Sequence, residues 1–243
     1  MKAQIENFEI YYNQSGNKNG IKVVLLHGWK QNKEMMDPIA KRLEADFFIT
    51  NIDLPGFGES SPLEKDLTIP EYVDIVKLFL QKLKIDNPII IGHSFGGEIG
   101  LVYAARYKVS KLVLIATPFR PMKKNNTFKI KFLKSLKKIP ILKNFEEPIK
   151  KRMGSTEYKN ASPIMRRTLV NSVNYDATEE AKRINCPTLL VWGSADTTVF
   201  VEEAEYLETI INDAGLVVYE GCTHYAYLEK KEELAKVLKE FFK

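Results

Sequence analysis

The stretch Ile89-Ile90-Ile91-Gly92-His93-Ser94-Phe95-Gly96-Gly97 constrains the fold more than any other part of this chain. Three β-branched apolar residues predict a strand buried on both faces, and the apolar run over 95–105 predicts a buried helix directly after it. Between them, Gly92 to Gly96 has the Gly-x-Ser-x-Gly spacing of a sharp strand–turn–helix with the serine at its apex. So tight a turn strains the backbone of its central residue. A side chain two positions to either side would run into neighbouring backbone, which explains glycine at 92 and 96. The turn lifts the Ser94 hydroxyl above the carboxyl ends of the strands, at a helix N-terminus whose dipole and free N–H groups favour a developing negative oxygen. A nucleophile for acyl transfer belongs there.

The rest of the chain fits around this unit. Residues 2–14 alternate, with Ile5, Phe8, Ile10 and Tyr12 among polar neighbours, and predict an antiparallel edge hairpin turning near Asn7 and closed by a loop at 15–20. Buried strands are predicted at 23–26, 47–52, 111–116, 187–192 and 216–219. Helices are predicted at 34–43, 70–83 and 200–211, with a last one running to 242. Strands alternating with helices imply βαβ units, right-handed crossovers and a mostly parallel α/β sheet with helices on both faces. The pattern breaks over 119–183, where there are helical signals and no strand. The expected organisation is therefore a core of 1–118 and 184–243 interrupted by an insertion at 119–183.

That insertion carries 17 Lys and Arg against 6 Asp and Glu, a balance of +11 in a chain of net charge +5. The remainder is thus −6, which argues against a nucleic-acid binder. Phe128, Phe132, Leu136 and Ile139 fall at near-helical spacing among Lys129, Lys131, Lys134, Lys137 and Lys138. This is either a lid helix with a solvated basic face or a basic amphipathic helix that meets a membrane surface or an anionic substrate. A second helix is expected to start at Ser162-Pro163, a capping residue followed by proline in the first turn.

At 243 residues and 44% hydrophobic, the chain has enough apolar material for one large α/β core. No apolar run of ~18 residues predicts a transmembrane helix, and the N-terminus lacks a signal-peptide core, so a cytoplasmic protein is expected. Cys186 opens one parallel strand and Cys222 follows the next, which puts them at opposite ends of the sheet and predicts reduced thiols. Neither a metal-ligand cluster nor a dinucleotide fingerprint is present, so no metal and no cofactor are expected. Monomer and homodimer both remain open.

A serine hydroxyl needs a base, and that base needs an orienting carboxylate. The chain has three histidines. His93 adjoins Ser94 on the strand and should point into the fold. His27 ends a strand in His27-Gly28-Trp29. His224 lies in a loop after the last strand, at the carboxyl edge of the sheet, and is the best base. Asp196, in the loop after the strand at 187–192, is the acid, since Ser, Asp, His is the chain order that accompanies this turn on an α/β sheet. Asp53 is the rival and is read as stabilising its own loop. Two N–H donors must meet at the oxyanion, and the expected pair are the backbone amides of Phe95 and Trp29. Cap apolar residues, with Trp29, Phe95 and Tyr225, would form an apolar acyl pocket. Its candidate walls are His27, Gly28, Phe119 and Tyr225.

These motifs resemble the α/β-hydrolase fold family, near its small esterase and lipase-like members. They are His27-Gly28-Trp29, Asp53-Leu54-Pro55-Gly56-Phe57-Gly58-Glu59-Ser60, Gly92-His93-Ser94-Phe95-Gly96-Gly97, the run 187–193 with Asp196, and Gly221-Cys222-Thr223-His224. The resemblance implies Ser94, Asp196 and His224 as a catalytic triad and residues 119–183 as a helical cap over the site. Serine at 94 argues against the dehalogenase and epoxide hydrolase branches, whose nucleophile is aspartate. The run after Asp196 lacks the proline common in the family. The leading expectation is a carboxylic ester hydrolase acting on a small-to-medium ester through an acyl-enzyme. Alternatives are a C–C bond hydrolase, lactonase or thioesterase with the same residues, or a ligand-binding receptor of this fold with little turnover.

Overall fold

A computed structural model describes residues 1–121 and 162–243. Eight strands form one sheet: β1 (Lys2–Ile5), β2 (Phe8–Gly16), β3 (Lys22–Leu26), β4 (Phe48–Ile52), β5 (Ile89–His93), β6 (Lys111–Ile115), β7 (Thr188–Gly193) and β8 (Ala214–Tyr219). Their order is β1-β2-β4-β3-β5-β6-β7-β8. The hairpin β1–β2 and the β2–β4 pair are antiparallel, and every pair from β4 to β8 is parallel. After β3 the chain steps to one side for β4 and then to the other for β5. The carboxyl ends of β3 and β5 therefore flank a topological switch point, where open α/β sheets place their ligand crevice.

The inner strands are apolar at consecutive positions because helices cover both faces. Val24, Leu26, Ile90, Leu112, Leu114, Leu190 and Trp192 face one cluster, shared with α2 (Ile69–Lys82), α3 (Phe95–Arg106) and α6 (Val201–Ile210). Val23, Leu25, Ile89, Ile91, Val113, Ile115, Leu189 and Val191 face the other, shared with α1 (Asp37–Leu43), α7 (Ala226–Glu229) and α8 (Lys231–Phe241). The two-residue alternation of a strand assigns each side chain to its face. Two short helices complete the described set, α4 (Pro163–Val173) and α5 (Thr178–Ala181).

Local chemistry sets the boundaries. α2 starts with a capping box in which the Thr68 hydroxyl accepts from the Glu71 amide while the Glu71 carboxylate accepts from the Thr68 amide. The helix expected at 34–43 divides into a 3₁₀ turn, Lys33–Met36, and α1, because Pro38 fits a first turn and not a helix interior. The C-terminal helix divides at Lys230, whose φ of −117° and ψ of 32° leave the helical region. α4 begins where expected, with the Ser162 hydroxyl accepting from the Met165 amide. The cap helix expected over 128–139 lies outside the described residues. Both cysteines are free and buried. Among the described residues, no helix is long and apolar enough to cross a membrane.

The loops after β3 and β4 are joined by a buried ion pair. Lys33 Nζ donates to Asp53 Oδ2 at 2.7 Å and to Glu59 at 2.6 Å, and Asp53 also accepts from the amides of Lys33 and Glu59. Asp53 is fully buried and stabilises its loop, as the sequence suggests. Removing one partner of such a pair leaves an uncompensated buried charge. Lys33→Met is expected to lower the free energy of unfolding by about 3 kcal/mol, measured by urea denaturation.

Candidate active site

Ser94 is the apex of the turn from β5 into α3, with φ 50° and ψ −115°, a conformation rarely held by a residue with a side chain. The glycines explain how it is accommodated. A Cβ on Gly92 would lie 2.4 Å from the Gly96 carbonyl oxygen, and one on Gly96 would lie 2.3 Å from the Leu26 oxygen and 2.5 Å from that of His27. The start of α3 therefore packs backbone to backbone against the end of β3. Phe95 is the first residue of α3, so its amide has no acceptor within its own helix. On the other side of this contact, Trp29 follows Gly28, and the Trp29 and Phe95 rings meet edge to face at 5.2 Å.

Asp196 and His224 come together across two loops. His224 Nδ1 lies 2.8 Å from Asp196 Oδ2. A carboxylate only accepts, so Nδ1 carries the proton and Nε2 is left with its lone pair. The other Asp196 oxygen accepts from the amides of Thr198 and Val199 at 2.7 and 3.0 Å. These two bonds shape the loop that lacks the family's usual proline. The loops are also tied to each other, through Ala195 N–H to Cys222 O at 2.9 Å and Gly221 N–H to the Ser194 hydroxyl at 2.8 Å.

His93 links His224 to the elbow. Its ring is fully buried and packs beside the His224 ring at 4.9 Å, and its Nε2 lies 3.0 Å from the His224 carbonyl oxygen. Burial, reinforced by His224, holds His93 well below the usual histidine range, so it is neutral. His27 is also spent on structure: Nδ1–H donates to the Gly28 carbonyl at 2.8 Å and Nε2 accepts from the Leu54 amide at 3.1 Å. Burial pushes its pKa down to about 4. The pocket candidates thus divide. A Cβ on Gly28 would lie 2.8 Å from His93 Nδ1 and 3.0 Å from Gln31 Oε1, and Tyr225 is half-buried beside His93 and His224. His27 and Phe119 are buried, and Phe119 stacks on Tyr206 of α6.

Two buried polar residues near the elbow carry no sequence signal. Gln31 sits between the loop after β3, the end of β5 and the loop after β8. Glu98, in the first turn of α3, is buried and lies 2.6 Å from the Ser172 hydroxyl of α4. Among the described residues, no group of three His, Cys, Asp or Glu side chains is placed to hold a metal.

The sequence matches the family model of the alpha/beta hydrolase fold over residues 22–140. The chain has the α/β-hydrolase fold. It is 26% identical to monoacylglycerol lipase ABHD6 of Mus musculus, over 98% of this chain and 81% of that protein. It is 28% identical to the pimeloyl-acyl-carrier-protein methyl ester esterase of Neisseria meningitidis serogroup C, over 90% of this chain and 93% of that protein. The crystal structure of a membrane phospholipase A superposes with a TM-score of 0.86 at 25% identity, covering all of this chain and 84% of that one. Both curated relatives are thus a lipase and an esterase of this fold.

Burial raises the Glu98 carboxyl well above the usual carboxylate range. The unfolded chain gives up this proton near pH 4.5 and the folded chain keeps it, so its contribution to stability falls as pH rises above 4.5. Glu98→Gln keeps the shape and removes the titration. The stability of the variant relative to wild type is expected to grow from pH 5 to pH 8, by up to about 1.4 kcal/mol per pH unit, measured by urea unfolding at each pH.

Proposed function

We propose that this chain is a serine hydrolase that cleaves a small-to-medium carboxylic ester through an acyl-enzyme on Ser94, with His224 and Asp196 completing a triad. The observation that carries this reading is the Asp196–His224 pair at 2.8 Å, which orients the His224 ring, together with His93, the neighbour of the strained Ser94, packed 4.9 Å from that ring. His224 takes the Ser94 proton as Oγ attacks the acyl carbon, and the Trp29 and Phe95 amides receive the oxyanion. The imidazolium, steadied by Asp196, returns the proton to the leaving alkoxide. Water, deprotonated by His224, then cleaves the acyl-enzyme and frees Ser94.

Residues 119–183 are read as the cap, with α4 as its returning helix. The apolar wall for the substrate is the buried cluster of Trp29, Phe57 and Phe95, whose rings lie 5.0 to 5.9 Å apart. The names of the relatives, a monoacylglycerol lipase and a methyl ester esterase, favour an ester over a C–C bond.

Intact mass after exposure to a fluorophosphonate, with turnover of p-nitrophenyl esters of increasing length, tests this. A single adduct is expected on wild type and none on Ser94→Ala. Asp196→Asn is expected to lower kcat about 10⁴-fold with the fold intact. No adduct and no turnover would favour a ligand-binding receptor.

A further inference from the structure

Gln31 has its side chain buried where the loop after β3, the last residue of β5 and the loop after β8 meet. It closes its own loop twice. Its Oε1 accepts from the Gly28 amide at 2.9 Å, and its backbone N–H donates to the Gly28 carbonyl at 3.2 Å. Residues 28–31 thus form a β-turn with Trp29 at its first corner and Lys30 at its second, where φ is 58°. The peptide that carries the Trp29 N–H is therefore held from both ends of this turn.

The same carboxamide reaches the end of β5 and the loop after β8. The Tyr225 hydroxyl lies beside it, and since Oε1 is engaged by Gly28, Nε2 is the arm that can donate toward that hydroxyl. Tyr225 follows the base, His224. Toward the elbow, Oε1 lies 3.3 Å from His93 Nδ1. The His224 carbonyl can only accept, so the single proton of neutral His93 is on Nε2, and Nδ1 meets Gln31 as a packing contact. One side chain thus contacts the oxyanion-side turn, the residue before Ser94 and the residue after His224.

We propose that Gln31 is a positioning residue, whose carboxamide sets the Trp29 amide in register with the Ser94 elbow and the His224 loop. This rests on the serine hydrolase reading. Gln31 touches no reacting atom in this scheme. It acts through Trp29, by keeping the second oxyanion donor where charge develops in the transition state, so its loss weakens transition-state binding and spares ground-state binding.

The test uses the full chain and four proteins: wild type, Gln31→Leu, Gln31→Glu and Tyr225→Phe. The readouts are the rate of fluorophosphonate labelling at Ser94 and kcat and KM for p-nitrophenyl butyrate. Gln31→Leu keeps most of the buried volume and removes both polar arms. Its kcat is expected to fall about 10²-fold with KM changed by less than about threefold, and labelling should slow in parallel. Gln31→Glu restores the acceptor for Gly28 and lets His93 bind a second proton between the carboxylate and the His224 carbonyl. It is expected to recover at least about tenfold of the lost kcat.

Full kcat in Gln31→Leu overturns the proposal, as does a loss that falls on KM or a loss that Gln31→Glu does not relieve. If Gln31→Leu does not fold, wild-type kcat in both Gln31→Glu and Tyr225→Phe overturns it. A depressed kcat at constant KM in Tyr225→Phe supports it. Failure of wild type to label removes the serine hydrolase reading, and the positioning role with it. Labelled wild type with unaffected variants removes the positioning role alone.

Discussion

The structure depends on one uncomfortable residue. Ser94 holds a backbone conformation that costs on the order of 1–3 kcal/mol, and it holds it because its surroundings leave no alternative. β5 lies between β3 and β6, so the strand entering the turn is fixed by ladders on both sides. The Ser94 amide continues the pairing by donating to Ile115 O at 2.8 Å. The helix leaving the turn is pressed against the carbonyls of Leu26 and His27, with glycine at Gly96 making the approach sterically feasible. Ser94 is thereby presented at the switch point of the sheet.

Around this turn, polar groups are buried to orient loops. His27 ties its own loop to that after β4, and Lys33 with Asp53 and Glu59 braces the same pair of loops by charge. His93 and Gln31 connect the elbow with the loops before and after it in space. Burying such groups is costly unless each finds a partner. Their partners are largely backbone amides and carbonyls of neighbouring loops, so the cost of burial is offset by bonds that also fix loop geometry. The His224–Asp196 pair belongs to the same scheme, since the second aspartate oxygen is held by two loop amides.

The described residues on either side of 122–161 are tied to each other and to the rest of the chain. The Phe119 carbonyl accepts from the Ala177 amide at 2.7 Å, which joins the outgoing and returning chain. Arg120 forms a two-point pair with Glu203 of α6 and lies 4.1 Å over the Tyr206 ring. α4 is held to the segment before α2 through Thr168 and Asn171, and to α3 through Ser172 and Glu98. α4 therefore contacts α3, the helix that follows Ser94.

Much of this was legible from residue order. Ile89 to Ile91, the Gly-x-Ser-x-Gly spacing and the alternation of strands with helices determined the parallel α/β sheet and the place of Ser94, because buried strands and tight turns admit few residue types. Asp196 and His224 were legible as loop residues at the carboxyl edge, since chain order and the strand before each are local facts. What only the tertiary structure decided was how loops from different strands meet. His27 was a candidate pocket wall by position, and its burial between Gly28 and Leu54 turns it into a brace. Gln31 and Glu98 showed no pattern in the sequence, because their contacts at His93 and Ser172 lie far along the chain. Hydrophobic periodicity encodes which face of an element is buried. It does not encode which buried polar group finds which partner, and that pairing exists only once the sheet has brought the loops together.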